Sequence, residues 1–418
     1  MKILGIETSC DETAVCLIEA SGNFGADFKF RILGNALASQ AAQHAEYGGV
    51  FPNLAKREHT RNLVPMLELA LKDSGQLTAN SERKDEASVN RKLSTVNLKL
   101  ILEREPELFE LLNEFLKMHA RPDIDALAVT VGPGLEPALW VGVNFARALS
   151  AAWNIPVIAV NHMEGHIIVS LMRNEKGSRE QVVGSSTSKT KTYSLEPITY
   201  PAVALLISGG HTELVLMREW MHYEIIGQTR DDAVGEAFDK VARMLELPYP
   251  GGPHISRLAE EARNKKLEAG LKLPRPMLHK NNLDFSFAGL KTAALRFVEA
   301  NTPLSDNLKK QIAREFEAAA ADVLVEKTLR AVEQHSAQTV IVGGGVSANK
   351  HIRAELAIRL QATGCKLLIS PFEFATDNAV MIALAGYFHT SNDEFADLST
   401  LRANGNLRLG KSSDSVLK

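Results

Sequence analysis

The most restrictive feature of this sequence is a pattern that occurs twice. Residues 2–8 have the character of a buried strand, Ser9-Cys10-Asp11-Glu12 is a polar turn, and residues 13–19 return as a second strand. Residues 202–207, the turn Ser208-Gly209-Gly210-His211 and residues 212–217 repeat that arrangement, in architecture more than in identity. Two such openings in one chain predict a duplicated α/β domain. A duplication of this kind normally holds a ligand between its halves. Residues 174–196, rich in Ser, Thr, Gly and Lys, read as a flexible loop and mark the boundary. The expected halves are therefore 1–198 and 199–418.

The remaining segments fit this frame. Residues 35–39 read as a short strand and 40–49 as a loop. An amphipathic helix follows over 53–72, with Leu54, Leu63, Val64, Leu67 and Leu71 on one face. Residues 76–92 are polar, and 107–118 form a second helix with Pro106 in its first turn and Leu108, Leu111, Leu112, Phe115 and Leu116 as its stripe. The stretch 76–121 reads as a surface insertion, a packed helical excursion in preference to a partner-docking helix. Strands are expected at 125–130, 157–160 and 339–342, and helices at 137–154 and 350–360.

Among 418 residues, 45% are hydrophobic and 23% charged, which fits a folded protein with a sizeable core. A net charge of −3 gives no global attraction to nucleic acid, so an RNA contact needs a local basic patch or a partner. Three cysteines, Cys10, Cys16 and Cys365, match neither a disulfide framework nor a zinc knuckle. The first residues run straight into a strand with no signal-peptide pattern, and no apolar run has membrane-spanning length. A cytoplasmic location is expected.

Several residues carry possible chemistry. His162 and His166 stand four apart at the expected start of a helix, so both imidazoles lie on one side, as a shared metal ion requires. Asp377, before the apolar stretch 379–387, is a candidate third ligand; its other reading is a helix N-cap. In the metalloprotease pattern the glutamate directly follows the first histidine. Here Glu164 is two residues on, rotated roughly 200° from His162, and points away from such a metal. The turns Ser208-Gly209-Gly210 and Gly343-Gly344-Gly345 are suited to anions through their backbone N–H groups, although glycines at turns are as often geometric necessities. Asp11 and Glu12 would act through Mg²⁺ or as polarising or general-base groups, or are solvated turn residues. Asp231, Asp232 and Asp239 flank a helical segment. Asp239 with Lys240 reads as a surface ion pair, and Tyr249-Pro250-Gly251-Gly252-Pro253 as a rigid bend.

Taken in order, these motifs resemble one family. Ile6-Glu7-Thr8-Ser9-Cys10-Asp11-Glu12-Thr13, His162-Met163-Glu164-Gly165-His166, Ser208-Gly209-Gly210-His211-Thr212, Gly235-Glu236-Ala237-Phe238-Asp239-Lys240, Tyr249 to Pro253, Asp284-Phe285-Ser286-Phe287, Gly343 to Asn349 and Thr376-Asp377-Asn378 stand as they do in the TsaD family. Its members make threonylcarbamoyladenosine in tRNA. The resemblance covers nearly the whole chain and departs at 76–121 and 174–196.

The resemblance implies duplicated actin-like, ribonuclease-H-like α/β domains with an interdomain cleft, where the helix after Asp377 packs back. It implies transfer of the threonylcarbamoyl group from threonylcarbamoyl-AMP to the N6 amino group of the adenosine next to the anticodon, in tRNAs reading ANN codons, with release of AMP. It assigns one divalent metal, Fe²⁺ first and Zn or Mg as alternatives, to His162, His166 and Asp377. Leu206, Ile207, Ser208, Gly209, Gly210, Asp239, Gly252 and Asn349 would hold the adenylate substrate, or ATP. Asp11 or Glu12 would assist proton removal. The partners implied are tRNA, TsaB-like and TsaE-like helper subunits and a threonylcarbamoyl-AMP synthase, with no membrane. Other readings on the same fold are an ATPase or sugar kinase and, with the helix phase against it, a metalloprotease.

Overall fold

The computed structural model describes residues 1–78, 97–174, 191–267 and 270–410. Two compact units emerge. The first comprises Met1–Gln40, Val50–Pro197 and Asp377–Lys418, and the second Ala41–Gly49 and Ile198–Thr376.

The sheet of the first unit contains β1 (Lys2–Glu7), β2 (Glu12–Ser21), β3 (Lys29–Ser39), β4 (Ala126–Gly132), β5 (Val157–Asn161), β6 (Met172–Asn174) and β7 (Thr192–Leu195), in the order β5-β4-β1-β2-β3-β7-β6. β2 runs antiparallel to both β1 and β3, whereas β1–β4 and β4–β5 are parallel. The second unit contains β8 (Ala202–Ile207), β9 (Thr212–Met217), β10 (Tyr223–Gln228), β11 (Thr339–Gly343) and β12 (Lys366–Ile369), in the order β10-β9-β8-β11-β12. Its pairings have the same senses: β8–β9 and β9–β10 antiparallel, β8–β11 and β11–β12 parallel. Five strands of each sheet thus share one order and one set of directions, the duplicated actin-like α/β fold. β4 and β8 are buried at every position, which explains why they read as unbroken apolar runs instead of alternating ones.

The short helix α1 (Ala41–Ala45) occupies part of the segment expected to be loop. In the first unit, α2 (Pro52–Asp73), α3 (Pro106–Met118) and α4 (Glu136–Trp153) build one core with the sheet. Leu63, Leu67, Leu108, Leu112, Phe115 and Phe145 are all buried there, so α3 is a packed element. Residues 79–96, most of the polar stretch before α3, lie outside the described residues. The strand expected at 35–39 begins at Lys29, because its antiparallel pairing with β2 continues to Ser21 opposite Lys29, and Lys29–Arg31 pair with β7 on the other edge. The Ser/Thr/Gly/Lys segment expected as a loop therefore ends in a strand, and its residues 175–190 lie outside the described ones.

Helix α5 (His162–Val169) follows β5 directly. The second unit adds α6 (Val234–Met244), α7 (Gly251–Asn264), α8 (Ala288–Ala300), α9 (Asp306–His335) and α10 (Lys350–Gln361). The last helix, α11 (Ala379–Thr390), is apolar nearly all round and correspondingly buried, packed in the first unit beside β1 and α5. Among the described residues, no helix is long and apolar enough to cross a membrane.

The second core centres on Phe238, Phe285, Phe287 and Phe316, with Phe238 and Phe316 edge to face at 5.0 Å. Phe316 on α9 is fully buried. Phe316→Ala should cost about 3–5 kcal/mol of stability, from lost transfer energy and the cavity left behind. The shift of the urea midpoint at unchanged slope measures this, and a loss below about 1 kcal/mol would contradict the packing described.

Candidate metal centre

A helix follows β5 at once, as the sequence predicts, and starts at His162. Asn161 ends the strand in an extended conformation, and its side chain accepts hydrogen bonds from the N–H groups of Met163 (2.9 Å) and Glu164 (3.4 Å). This N-cap starts the helix at His162 and fixes its rotation. His162 and His166 then project one turn apart, their rings 4.8 Å between centroids and nearly perpendicular.

Asp377 faces both histidines. Its Oδ1 lies 3.1 Å from His166 Nε2 and 3.4 Å from His162 Nε2. The N-cap role that could have claimed Asp377 belongs to its neighbour: Asn378 Oδ1 accepts from Met381 N–H at 3.1 Å and caps α11. The three residues present ligand atoms within 4.8 Å of one another. His166 is fully buried, and His162 nearly so.

Behind the triad stands Glu7, a residue that sequence reasoning did not single out as a functional group. It is fully buried at the end of β1, with Oε2 3.1 Å from His162 Nδ1 and accepting from the Thr130 hydroxyl at 2.6 Å. Its other oxygen accepts from Ser9 N–H at 2.5 Å. The available signal was a carboxylate closing an otherwise apolar strand, a position that burial normally forbids unless the charge is partnered.

These contacts govern protonation. Burial pushes Asp377 up, but the charge of His162 and hydrogen bonds from both histidines outweigh it and hold the carboxyl well below its ordinary range. For Glu7, burial is likewise overcome by His162, and the carboxyl is lowered. Burial opposes charge on His162, yet Asp377 and Glu7 raise it well above an ordinary histidine. His166 goes the other way: burial and the neighbouring His162 lower it despite Asp377.

The donor set fits a divalent cation. Two imidazoles and one carboxylate suit iron, and zinc also accepts them. The carboxylate behind His162 is the outer support that fixes a ligating imidazole's tautomer. Among the described residues His166 has no such support: its Nδ1 is buried without a hydrogen-bond partner.

The turn bearing Asp11 and Glu12 belongs to the same unit. His59 of α2 fastens it: Nε2 lies 3.0 Å from the Cys10 carbonyl, and Nδ1 lies 2.8 Å from the Thr13 hydroxyl. Burial, with the charges of Asp11 and Asp377 behind it, pushes the Glu12 carboxyl up to about 10. A carboxyl raised this far is disposed to keep its proton and to donate a hydrogen bond.

The sequence-predicted substrate residues all lie in the second unit. Leu206 and Ile207 are fully buried at the end of β8, and the exposed Gly209 and Gly210 have open space where a Cβ would stand. Gly235, at the start of α6, packs against the Ser208 carbonyl and Gly209. Gly344 has φ +90°, a conformation that favours glycine, and a Cβ there would strike the Ile207 carbonyl. Asp239 makes no ion pair with Lys240: Lys240 binds Asp232 (2.9 Å) and Glu236 (2.8 Å), while Asp239 accepts from Gly251 N–H at 2.7 Å. Gly252 again has open space at its Cβ position. The amide of Asn349 donates to Ser256 and Glu317, both at 2.8 Å, while Oδ1 accepts from Ile352 N–H. One acceptor lobe of Asn349 remains for a ligand.

Glu164 points away from the triad, as its helical phase requires, and meets His389 of α11. The His389 Nε2 to Glu164 Oε2 distance is 2.6 Å, and Nδ1 is 2.5 Å from Glu394 Oε2. Glu164 is thus not placed as a water-activating base for a metalloprotease.

Fold and site define an actin-like α/β protein with a His/His/Asp cluster, its histidines buried, that could hold a metal ion. The family model described as "TsaD: tRNA N6-adenosine threonylcarbamoyltransferase" matches residues 31–80, 105–195 and 182–384. A tRNA N6-adenosine threonylcarbamoyltransferase of Persephonella marina is 40% identical over 390 residues, 93% of this chain and 90% of that protein. One from Chromobacterium violaceum is 39% identical, covering 92% of each. The chain belongs to the TsaD family and is a transferase of tRNA modification. Among solved structures, full-length HypF in its phosphate- and nucleotide-bound form aligns at TM-score 0.48 and 11% identity, over 93% of this chain and 46% of that one, too distant to bear on function.

Charge on His389 has a pH consequence. Burial opposes it, but Glu164 and Glu394 overcome this and push its pKa up to about 9. A histidine raised in the folded state contributes stability that is complete below its unfolded value of about 6.5. That contribution falls away as pH rises through about 9. In metal-free protein, wild type should lose its advantage over His389→Gln between pH 7 and 9.5, read from urea midpoints. A difference independent of pH would contradict the assignment.

Proposed function

We propose that this chain transfers a threonylcarbamoyl group from threonylcarbamoyl-AMP to the N6 amino group of the adenosine next to the anticodon, in tRNAs reading ANN codons, and releases AMP. The observation that carries this reading is the His162/His166/Asp377 cluster in a chain of the TsaD family. These three residues would hold one divalent cation, iron first by donor set, with zinc or magnesium as alternatives. When bound it supplies Lewis acidity toward the carbonyl of the transferred group.

The chain's own residues do the rest. Glu7 keeps His162 in one orientation, and Asn161 fixes the helix phase that aims both imidazoles. The open backbone at Gly209, Gly210 and Gly252 leaves room for the adenylate of the donor, with Leu206, Ile207 and Ser208 shaping the turn. Asp239 holds the start of α7 beside that turn's helix, and Asn349 caps α10 while keeping one acceptor for the ligand. An aromatic amine is a weak nucleophile, so orientation and fixed charge supply most of the acceleration. Asp11 would take the amine's proton, and neutral Glu12 would donate a hydrogen bond.

A net charge of −3 does not draw the chain to tRNA. We therefore include TsaB-like and TsaE-like helper subunits as partners, and a separate synthase for the mixed anhydride. Labelled threonine should reach unmodified tRNA when this chain is combined with that synthase and those helpers. No transfer, with another family member active in parallel, would sink the proposal. His166→Ala should lose bound metal and lower transfer by about 10²–10³-fold; equal metal content in both proteins would remove the metal from the scheme. Asp11→Asn should lower kcat by about 10²–10⁴-fold with little change in KM for the adenylate. An unchanged kcat would exclude Asp11 as the base.

A further inference from the structure

Glu164 stands between the two metal-facing histidines, yet it serves no step of the proposed chemistry. Its surroundings are unusual. Glu164 is almost fully buried, and its partner His389 occupies the last turn of α11. Both nitrogens of His389 face carboxylate oxygens, so both donate. The ring is pinned between Glu164 and Glu394.

Three contacts fasten α5 to α11. His162 and His166 meet Asp377, immediately before α11 begins. Gly165 lies over its first turn, where an added Cβ would come within 3.0 Å of Met381 Cγ and 3.2 Å of Ile382 Cδ1. Glu164 meets His389 near its end. Ten residue steps separate Ala379, the first residue of α11, from His389, about 15 Å of helix rise. Two residues a full turn apart on α5 reach one end of α11, while the residue between them reaches the other. Helix α5 therefore runs across α11 instead of along it. Metal-facing side chains project toward one end, and Glu164 toward the other.

We propose that the Glu164–His389 pair is a positioning clamp for the metal centre, setting where α5 lies along α11 and hence the separation of His162 and His166 from Asp377. Gly165 removes the side chain that would hold the two helices apart, and the ion pair fixes the remaining freedom to slide. Among the described residues His389 pairs with Glu164 and Glu394 and not with the ligand candidates, so it acts through the placement of α5. Glu394 completes the grip from the far side. The inference rests on the metal reading of the triad.

The test measures metal affinity without catalysis. The full-length chain, stripped of metal, is titrated with Co²⁺, whose visible spectrum reports ligand geometry, for wild type, Glu164→Gln, His389→Ala, His389→Arg, the Glu164→Gln/His389→Ala double variant and His166→Ala. Glu164→Gln and His389→Ala should each weaken Co²⁺ binding by about 10–100-fold and alter its spectrum, the range for groups that orient ligands. The double variant should be no worse than either single change, and His389→Arg should recover part of the loss. Glu164→Gln is nearly isosteric, so it carries the test if His389→Ala does not fold. Affinities and spectra within twofold of wild type for Glu164→Gln would overturn the clamp. Wild-type binding by His166→Ala would instead overturn the metal site itself.

Discussion

The first unit depends on how four ionisable groups, three of them buried, are reconciled in one place. Glu7, His162 and His166 are buried and Asp377 half-buried where they meet, so an unbalanced charge there is costly. With both carboxylates charged, a single imidazolium leaves the cluster at a net −1. With both imidazoles neutral and a divalent cation between them, the same groups and the ion sum to zero. The two rings are displaced in opposite directions: against burial, Asp377 and Glu7 raise His162, whereas burial and the neighbouring His162 lower His166. A site that needs a proton to balance its charge is chemically disposed to exchange it for a metal.

Duplication explains where these groups come from. Strand β5 leads into His162 and His166, and β12, its counterpart in the second sheet, leads by a short connection into Asp377. The metal-ligating candidates therefore arise at equivalent strand-to-helix exits of the two repeats, though Asp377 and α11 pack with the first unit. The β1–β2 and β8–β9 turns are equivalent in the same sense. One has kept Asp11 and Glu12, and the other Gly209 and Gly210. A single turn position thus supplies carboxylates in one copy and open, anion-compatible backbone in the other.

Much of this was legible in the sequence because it is local. Apolar periodicity gave the strands and helices, the repeated opening gave the duplication, and helical phase gave both the aim of the histidines and the turning away of Glu164. Non-local pairings were not legible. Nothing near Lys29 says that the far edge of β3 pairs with β7, far along the chain. Lys240 beside Asp239 invited a pairing by proximity, but the helix places Asp232 and Glu236 within its reach and leaves Asp239 to Gly251. Asp377 carried two readings until the structure gave the cap to Asn378. Glu7 and His389 were missed for one reason: their roles exist only through partners more than a hundred residues away.

The stretch Asn161–His166 gathers these constraints into six residues. Asn161 stops the strand and caps the helix, Met163 is buried in the core, the histidines meet Asp377, Glu164 grips His389, and Gly165 lets α11 approach. A metal site alone needs only the two histidines at their spacing. The glutamate and glycine between them are explained by what lies on the helix's other sides. Most side chains of the motif serve placement, because two ligands on one short helix are useful only when the third, from another part of the chain, is held at a fixed distance.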